Sequence, residues 1–261
     1  MNEVNKTLYI PLYGKAMVSK QGILLSDPKA EQIWQAEGFT LKGKAKSKWL
    51  TYYMGMRSAV FDRWLTDKME ALPEAVILHI GCGMDSRICR VGHRGHLWYD
   101  LDFPDVIAQR KKHYEETECY HMIASDVRIP AWMDTLPGTT AIVVMEGISM
   151  YLRREELCCL LAALNARFEN LHILMDCYTE FAAKASKYKN PVNEVGVTTL
   201  YGLDDPKLLE SPGLRFVREW DFTPENLIAQ LPGSDRWFFR AMFAGSAAKK
   251  IYRLYELEGT P

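Results

Sequence analysis

The sequence of 261 residues lacks the features that mark secreted, membrane and nucleic-acid-binding proteins. Its N-terminal segment has no basic region followed by an apolar stretch, so it does not resemble a signal peptide. No uncharged run approaches the roughly 20 residues that a membrane-spanning helix needs. The 32 lysines and arginines are balanced by 33 aspartates and glutamates, so no excess positive charge would attract nucleic acid or anionic lipid. We therefore expect a cytoplasmic protein that binds neither nucleic acid nor a membrane.

Cysteine is present, but without the spacing of a metal site. The six cysteines include no CxxC pair, and most of them fall within apolar segments. This pattern favours reduced, buried thiols, and we predict no metal centre. The apolar content of 48% and charged content of 25% are those of an ordinary globular protein, long enough for one catalytic domain.

Periodic patterns divide the chain into a helical start and an alternating remainder. Helical spacing after Asp27-Pro28 and over residues 49–69 predicts that residues 1–70 form a helical cap. Over residues 71–261, short β-rich runs alternate with helical segments, which predicts a doubly wound α/β domain whose mostly parallel sheet has helices on both faces. The runs are AVILHIG, HLWYDLD, YHMIASD, AIVVMEG and LHILMDCY, followed by a final pair of strands at 214–222 and 249–257. Helices are predicted at 104–117, 153–169, 178–188 and 224–231, with a loop or short helix near 234–246.

A glycine turn follows the first of these runs. Gly81 and Gly83 precede a helix start in MDSR, so the backbone can turn tightly beneath a ligand at the carboxyl edge of the sheet. The acidic stretch at residues 100–102 ends the next run, where a carboxylate can accept hydrogen bonds from both hydroxyls of a ribose. Together these features predict a nucleoside cofactor.

The charge of the turn indicates which nucleoside cofactor binds. A dinucleotide would place its pyrophosphate at this helix N-terminus, and its fingerprint has Gly or Ala where this chain has Ser86. Asp85, expected in the first turn of the helix, would repel a pyrophosphate. S-adenosylmethionine has no phosphate and carries an ammonium and a sulfonium group, so the acidic turn favours S-adenosylmethionine.

Two further acids end the third and fourth runs. Asp126 could accept a hydrogen bond from the amine of an adenine ring, while the backbone N–H of Val127 meets a ring nitrogen. Glu146 could face the cationic methionine part of the donor. Such an acid taken singly is often a helix cap or a solvated turn residue. Acids at three successive strand ends, on the edge where ligands bind, favour a binding site.

Motifs spread along the chain carry a family resemblance. They are YYMGMR at 52–57 with FD at 61–62, GCGMDSR at 81–87, YDLDFPDVIAQRK at 99–111, SDVR at 125–128 and MEGISMYL at 145–152. The chain resembles the leucine carboxyl methyltransferase family, including its bacterial branch of tetracenomycin-type polyketide O-methyltransferases. The resemblance implies a class I methyltransferase fold, Rossmann-like with a seven-stranded sheet, and S-adenosylmethionine-dependent O-methylation.

The resemblance also implies roles for single residues. Arg57 would pair with the carboxylate of the donor through its planar guanidinium, assisted by Lys15. Tyr151 would point into the acceptor pocket, although an aromatic residue near a helix start is as often simple packing. The other donor contacts that the resemblance implies are those of Asp102, Asp126, Val127 and Glu146.

The sequence offers no general base for the acceptor. A carboxylate is already ionised at neutral pH, whereas a phenol or alcohol needs a base. Among the six histidines, His79 lies within the first strand, as a core histidine would, and the others fall at strand starts, in a loop or on a helix. We therefore predict a carboxylate or acidic hydroxyl on a small-molecule or polyketide-like acceptor, with a protein C-terminus left open. Residues 178–209 are expected to cover this acceptor.

Two other functions stay open at this point. A nicotinamide-dependent oxidoreductase is disfavoured by Asp85 and Ser86, and by the lack of a Tyr-x-x-x-Lys pair after the fourth strand. A non-catalytic S-adenosylmethionine-binding protein would carry the same donor site, and the sequence does not distinguish it from an enzyme.

Overall fold

The protein folds around one seven-stranded sheet. The computed structural model describes residues 7–41, 43–189 and 199–259. The strand order is β3-β2-β1-β4-β5-β7-β6, with β1 to β5 parallel and β7 antiparallel to both of its neighbours. The strands are β1 Val76–Ile80, β2 Trp98–Asp102, β3 Tyr120–Ala124, β4 Thr140–Met145, β5 Asn170–Tyr178, β6 Leu214–Trp220 and β7 Tyr252–Gly259. The predicted doubly wound α/β fold is confirmed, including the final pair of strands, which the structure shows to be antiparallel.

Helices cover both faces of this sheet, which explains why its central strands are apolar throughout. Every residue of β1 and β4 is buried. The longer helices are α1 Tyr9–Lys20, α2 Pro28–Glu37, α3 Lys48–Ala71, α6 Arg154–Arg167, α7 Glu180–Lys189 and α9 Gly233–Met242. The shorter ones are α4 Arg87–Val91, α5 Pro104–Arg110, α8 Glu225–Ile228 and α10 Ser246–Lys249.

The three N-terminal helices pack against one face of the sheet. Their apolar residues share a hydrophobic cluster with Ile77, Trp98 and Ile142 of β1, β2 and β4. A Cβ at Gly14 would lie 2.6 Å from the Cβ of Met54, so the glycine allows α1 to cross α3 closely. The described helices of the cap predicted at residues 1–70 therefore form a layer of the same core. The boundary between this cap and the α/β domain stays a prediction.

Two local predictions differ from the structure. The helix predicted at 104–117 ends at Arg110, because the chain then turns and the side chain of Glu116 accepts a hydrogen bond from the backbone N–H of Met122 on β3 at 2.7 Å. Helix α1 was not predicted as an element, since Leu8 at its N-cap makes no side-chain capping bond. By contrast, Asp27 caps α2 as expected, accepting from the N–H of Ala30.

The segment predicted to cover the acceptor, 178–209, is described only in part, because residues 190–198 lie outside the described residues. Its first part completes β5 and forms α7, with Ala182 and Ala183 buried. Across the described ranges, none of the helices combines the length and apolarity needed to span a bilayer.

Candidate active site

A cavity of about 980 Å³ lies at the carboxyl edge of the sheet, between the strand ends and helices α1 and α3. Its walls include most of the residues predicted from the sequence to form a site. These are Lys15, Arg57, Gly81, Gly83, Asp102, Val127, Glu146 and Tyr151. Asp126 is placed differently: its carboxylate pairs with the guanidinium of Arg128 at 2.5 Å at the protein surface, and the residue is not part of the cavity wall.

The glycine turn forms the floor of the cavity after β1. Gly81 has a φ of +71°, and a Cβ there would lie 2.8 Å from the side chain of Ile148, so only glycine fits without strain. Gly83, with a φ of +49°, donates its N–H to Oδ2 of Asp102 at 2.7 Å. This bond joins the turn to the end of β2, as the sequence pattern predicts for a nucleoside site.

Asp102, the acid predicted to bind a ribose, ends β2 and lies in the cavity wall. Its Oδ1 accepts the backbone N–H of Phe103 at 2.8 Å, so both carboxylate oxygens are oriented by backbone groups. Burial raises the pKa of Asp102 to about 6, against the lowering effect of the Gly83 and Phe103 hydrogen bonds. The neighbouring Asp100 is fully buried and accepts from Tyr120 and Trp98, so it has a structural role.

Asp85 lies in the turn before α4, not in the first turn of the helix as expected from the sequence. It is buried, and its Oδ1 pairs with Nζ of Lys15 at 3.0 Å and with Nη1 of Arg90 at 2.8 Å. Burial alone would raise its pKa, but the charges of Arg90 and Lys15 hold that pKa well below its usual range. Its negative charge is therefore offset by cations within the protein. These cations oppose the repulsion of a pyrophosphate that the sequence predicts for Asp85.

Arg57 sits at the centre of a buried ionic cluster. Its Nε donates to Oε1 of Glu146 at 3.1 Å, and its Nη1 donates to Oδ2 of Asp176 at 2.8 Å. Arg87 donates to the other oxygen of Glu146, and Ser58 Oγ donates to Oε1 at 3.0 Å. Although burial opposes ionisation, Arg87 and Arg57 lower the pKa of Glu146 to about 2. Arg57 and Glu146, which the sequence assigned to different parts of the donor, contact each other directly.

Sequence reasoning missed two members of this cluster. Asp176 is a fully buried acid in the mostly apolar run LHILMDCY. A carboxylate near the end of a core strand could have been recognised in the sequence as a candidate site residue. Arg87, also fully buried, pairs with Asp62 at 2.7 Å as well as with Glu146. The sequence shows that Arg87 belongs to the GCGMDSR motif, but it does not show that the side chain points into the protein interior.

Many of the residues that line the cavity are aromatic residues from the helices, strands and loops around it. They include Trp49, Tyr53, Tyr151, Tyr178, Phe181, Tyr201, Phe243 and Tyr252. The hydroxyl of Tyr252 donates to that of Tyr178 at 3.0 Å. Burial raises the pKa of Tyr151, which therefore stays protonated at neutral pH.

No general base emerges among the described residues of the cavity wall. The one histidine there, His79, accepts from Nη1 of Arg87 at 3.1 Å, so its Nδ1 carries the proton and donates to Asp100 at 3.1 Å. Burial lowers the pKa of His79. A buried, neutral and doubly bonded imidazole is a core histidine, as predicted.

Comparison with known proteins agrees with this geometry. Residues 3–165 match the family model described as leucine carboxyl methyltransferase. The chain is 29% identical over 256 residues to the tetracenomycin polyketide synthesis O-methyltransferase TcmP of Streptomyces glaucescens, covering 96% of this chain and 95% of that protein. It is 28% identical over 237 residues to the S-adenosyl-L-methionine-dependent methyltransferase dpfgK of Gibberella zeae, covering 81% and 80%.

A solved structure shares the fold at low sequence identity. Magnesium protoporphyrin IX methyltransferase of Synechocystis, crystallised with bound SAH, is 12% identical with a TM-score of 0.55, covering 96% of this chain and 100% of that one. The family model spans more than half of the sequence, which removes the nicotinamide-dependent oxidoreductase as an alternative. The chain belongs to the leucine carboxyl methyltransferase family and is an S-adenosylmethionine-dependent methyltransferase.

Proposed function

We propose that the protein is an O-methyltransferase whose acceptor is a carboxylate or acidic hydroxyl on a small, aromatic, polyketide-like molecule. This proposal is carried by the composition of the cavity wall, which is rich in aromatic side chains. The single histidine among its described residues is neutral and is hydrogen-bonded through both ring nitrogens. An acceptor that arrives ionised needs no base. The similarity to TcmP, a polyketide O-methyltransferase, supports the same acceptor class.

The residues of the cavity fit the donor in three respects. Asp102 offers a half-buried carboxylate, oriented by two backbone N–H groups, for the ribose hydroxyls. Val127, buried at the end of β3, supplies a backbone N–H for adenine. Arg57 presents positive charge for the methionine carboxylate, and Glu146 offers negative charge for its ammonium. Lys15 would have to share its charge between this carboxylate and Asp85. Asp126, which is not part of the cavity wall and pairs with Arg128, would have to turn toward the cavity to contact the adenine.

Bound S-adenosylmethionine supplies an electrophilic methyl group, and the chain's own residues supply alignment and exclusion of water. The rings of Tyr53, Tyr151 and Tyr252 wall the cavity and hold a flat acceptor in a fixed plane. Because burial raises the pKa of the Tyr53, Tyr151 and Tyr252 hydroxyls, they stay protonated at neutral pH and take no proton from the acceptor.

The acceptor class is tested with matched pairs of probes. The purified enzyme and methyl-labelled S-adenosylmethionine are incubated with 2-naphthoate or with 2-naphthylmethanol, and with extracts fractionated into acidic and neutral small molecules. We expect label in the carboxylate and in the acidic fraction, with a rate that stays level above about pH 6. Label only in neutral alcohols, with a rate that rises through a pKa near about 7, would contradict the proposal.

Donor affinity is expected to depend on the ionisation of Asp102. Its carboxylate accepts ribose hydroxyls only when ionised, and its pKa is raised to about 6 by burial. Affinity should therefore be full above this pKa and fall as the pH decreases through it. Calorimetric titration with methylthioadenosine between about pH 5 and 8 measures this. In Asp102→Asn the affinity should be weaker and independent of pH, and a wild-type affinity that is flat over the same range would contradict the assignment.

A further inference from the structure

We infer that Asp176 is a positioning residue for the methyl donor: it holds the guanidinium of Arg57 so that Nη2 is presented to the donor's carboxylate. This inference rests on the donor role proposed for Arg57. Asp176 itself is fully buried and is not part of the cavity wall, so it acts through Arg57 and through the backbone beside it.

The hydrogen bonds of Arg57 define which of its nitrogens faces a ligand. Nε donates to Glu146 and Nη1 donates to Asp176. These two carboxylates fix the plane of the guanidinium from its two ends, since Glu146 ends β4 and Asp176 lies on the neighbouring strand β5. Nη2 projects toward Gly147, a residue of the cavity wall.

Asp176 also fixes the backbone against which Nη2 lies. Its Oδ1 accepts the N–H of Gly147 at 2.6 Å, while its Oδ2 accepts from Arg57. Gly147 has a φ of +75°, and a Cβ there would lie 3.3 Å from Nη2 of Arg57. The Asp176 carboxylate thus fixes the orientation of the Arg57 guanidinium and also the position of Gly147, which leaves space beside that guanidinium.

The cluster contains both signs of charge, as does the part of the donor that it would bind. Arg57 pairs with Glu146 and Asp176, and Arg87 pairs with Glu146 and Asp62. The amino-acid group of the donor is a zwitterion, so an arginine and a glutamate of one cluster can meet its carboxylate and its ammonium. Burial raises the pKa of Asp176 and the charge of Arg57 opposes that rise, so the ionised form of Asp176 is stabilised by this arginine. Removing Asp176 should therefore free Arg57 to reorient.

The test compares two ligands that differ only in the amino-acid group. S-adenosylhomocysteine has this group, and methylthioadenosine keeps the nucleoside and the sulfur without it. In Asp176→Asn we expect the dissociation constant of S-adenosylhomocysteine to rise about tenfold, and that of methylthioadenosine to change by less than about twofold, both by titration calorimetry. A general loss of structure would weaken both ligands together.

Two further variants serve as a second test of the Arg57 position and as a control. Gly147→Ala displaces the guanidinium of Arg57 while Asp176 is intact, so it should selectively weaken the binding of S-adenosylhomocysteine. This variant can be measured even if Asp176→Asn does not fold. Glu256→Gln is the matched control, because Glu256 is a buried carboxylate on β7 bound by Lys68 and Arg218, and the ratio of the two affinities should not change.

The positioning role of Asp176 would be overturned if Asp176→Asn left the ratio of the two dissociation constants unchanged. If Asp176→Asn does not fold, an unchanged ratio in Gly147→Ala would have the same meaning. An unchanged ratio in Arg57→Ala would instead show that the proposed donor contact of Arg57 is wrong. The two failures are therefore distinguishable in one set of titrations.

Discussion

Replacement of Arg110 by methionine is expected to lower the free energy of unfolding by about 3–5 kcal/mol. Arg110 is fully buried and donates to the carboxylate of Asp100 and to the hydroxyl of Tyr120. Its Nη1 also donates to the carbonyl oxygens of Asp85 at 2.7 Å and Gly83 at 3.1 Å. Methionine fills much of the space but leaves a buried carboxylate and two carbonyls without this donor.

The pKa of Asp100 shows how far this carboxylate depends on Arg110. Burial would raise it, yet Arg110 foremost, with His79, lowers it to about 2. Urea unfolding of the variant measures the loss of stability. Arg63→Met is the control, since Arg63 is 72% exposed and its ion pair with Asp67 spans 4.0 Å; it should change the stability by less than about 0.5 kcal/mol. A loss below about 1 kcal/mol in Arg110→Met would mean that the cluster relaxes around the missing charge.

Replacement of Arg57 by alanine is expected to weaken S-adenosylhomocysteine binding by about 1.5–3 kcal/mol, roughly 10- to 150-fold. The reason is the loss of a charge-assisted contact to the donor's carboxylate. Methyl transfer should fall at least as much, because a displaced donor is no longer aligned with the acceptor. Titration calorimetry and label transfer to 2-naphthoate measure the two effects.

Arg57→Lys serves as the conservative comparison. Lysine keeps the charge but has no fork to contact Glu146, Asp176 and a ligand at once, so it should restore only part of the affinity. Full affinity in Arg57→Ala would mean that the guanidinium serves only Glu146 and Asp176. The donor site would then depend on Asp102 and the glycine turn.

Much of the fold could be predicted from the sequence, because strand and helix periodicities are local. The runs that ended at Asp102 and Glu146 lie on β2 and β4 or directly after them, and the glycine turn follows β1. Helix α1 and the early end of α5 were missed. Capping at α1 is weak, and the end of α5 depends on a bond between Glu116 and a distant strand edge.

The sequence predicted a set of residues for the candidate site, but it did not predict how these residues interact with each other. The topology brings Asp102 and Glu146 to one cavity, because the carboxyl ends of parallel strands share one edge. Arg57 reaches the same cavity from helix α3, which the strand order alone does not predict. The partners of Asp85 were not foreseen, since Lys15 reaches it from a helix far away in the sequence. The donor contacts of these residues stay predictions until they are measured.

The sequence by itself determined the doubly wound fold, the position of the glycine turn and the methyltransferase family. Each of these depends on residue types at short spacing or on motifs that can be read along the chain. Only the tertiary structure decided which charges neutralise each other, as in the pairing of Arg57 with Asp176, 119 positions apart in the sequence. The energy of an ion pair depends on its distance and burial, and long-range packing alone sets both.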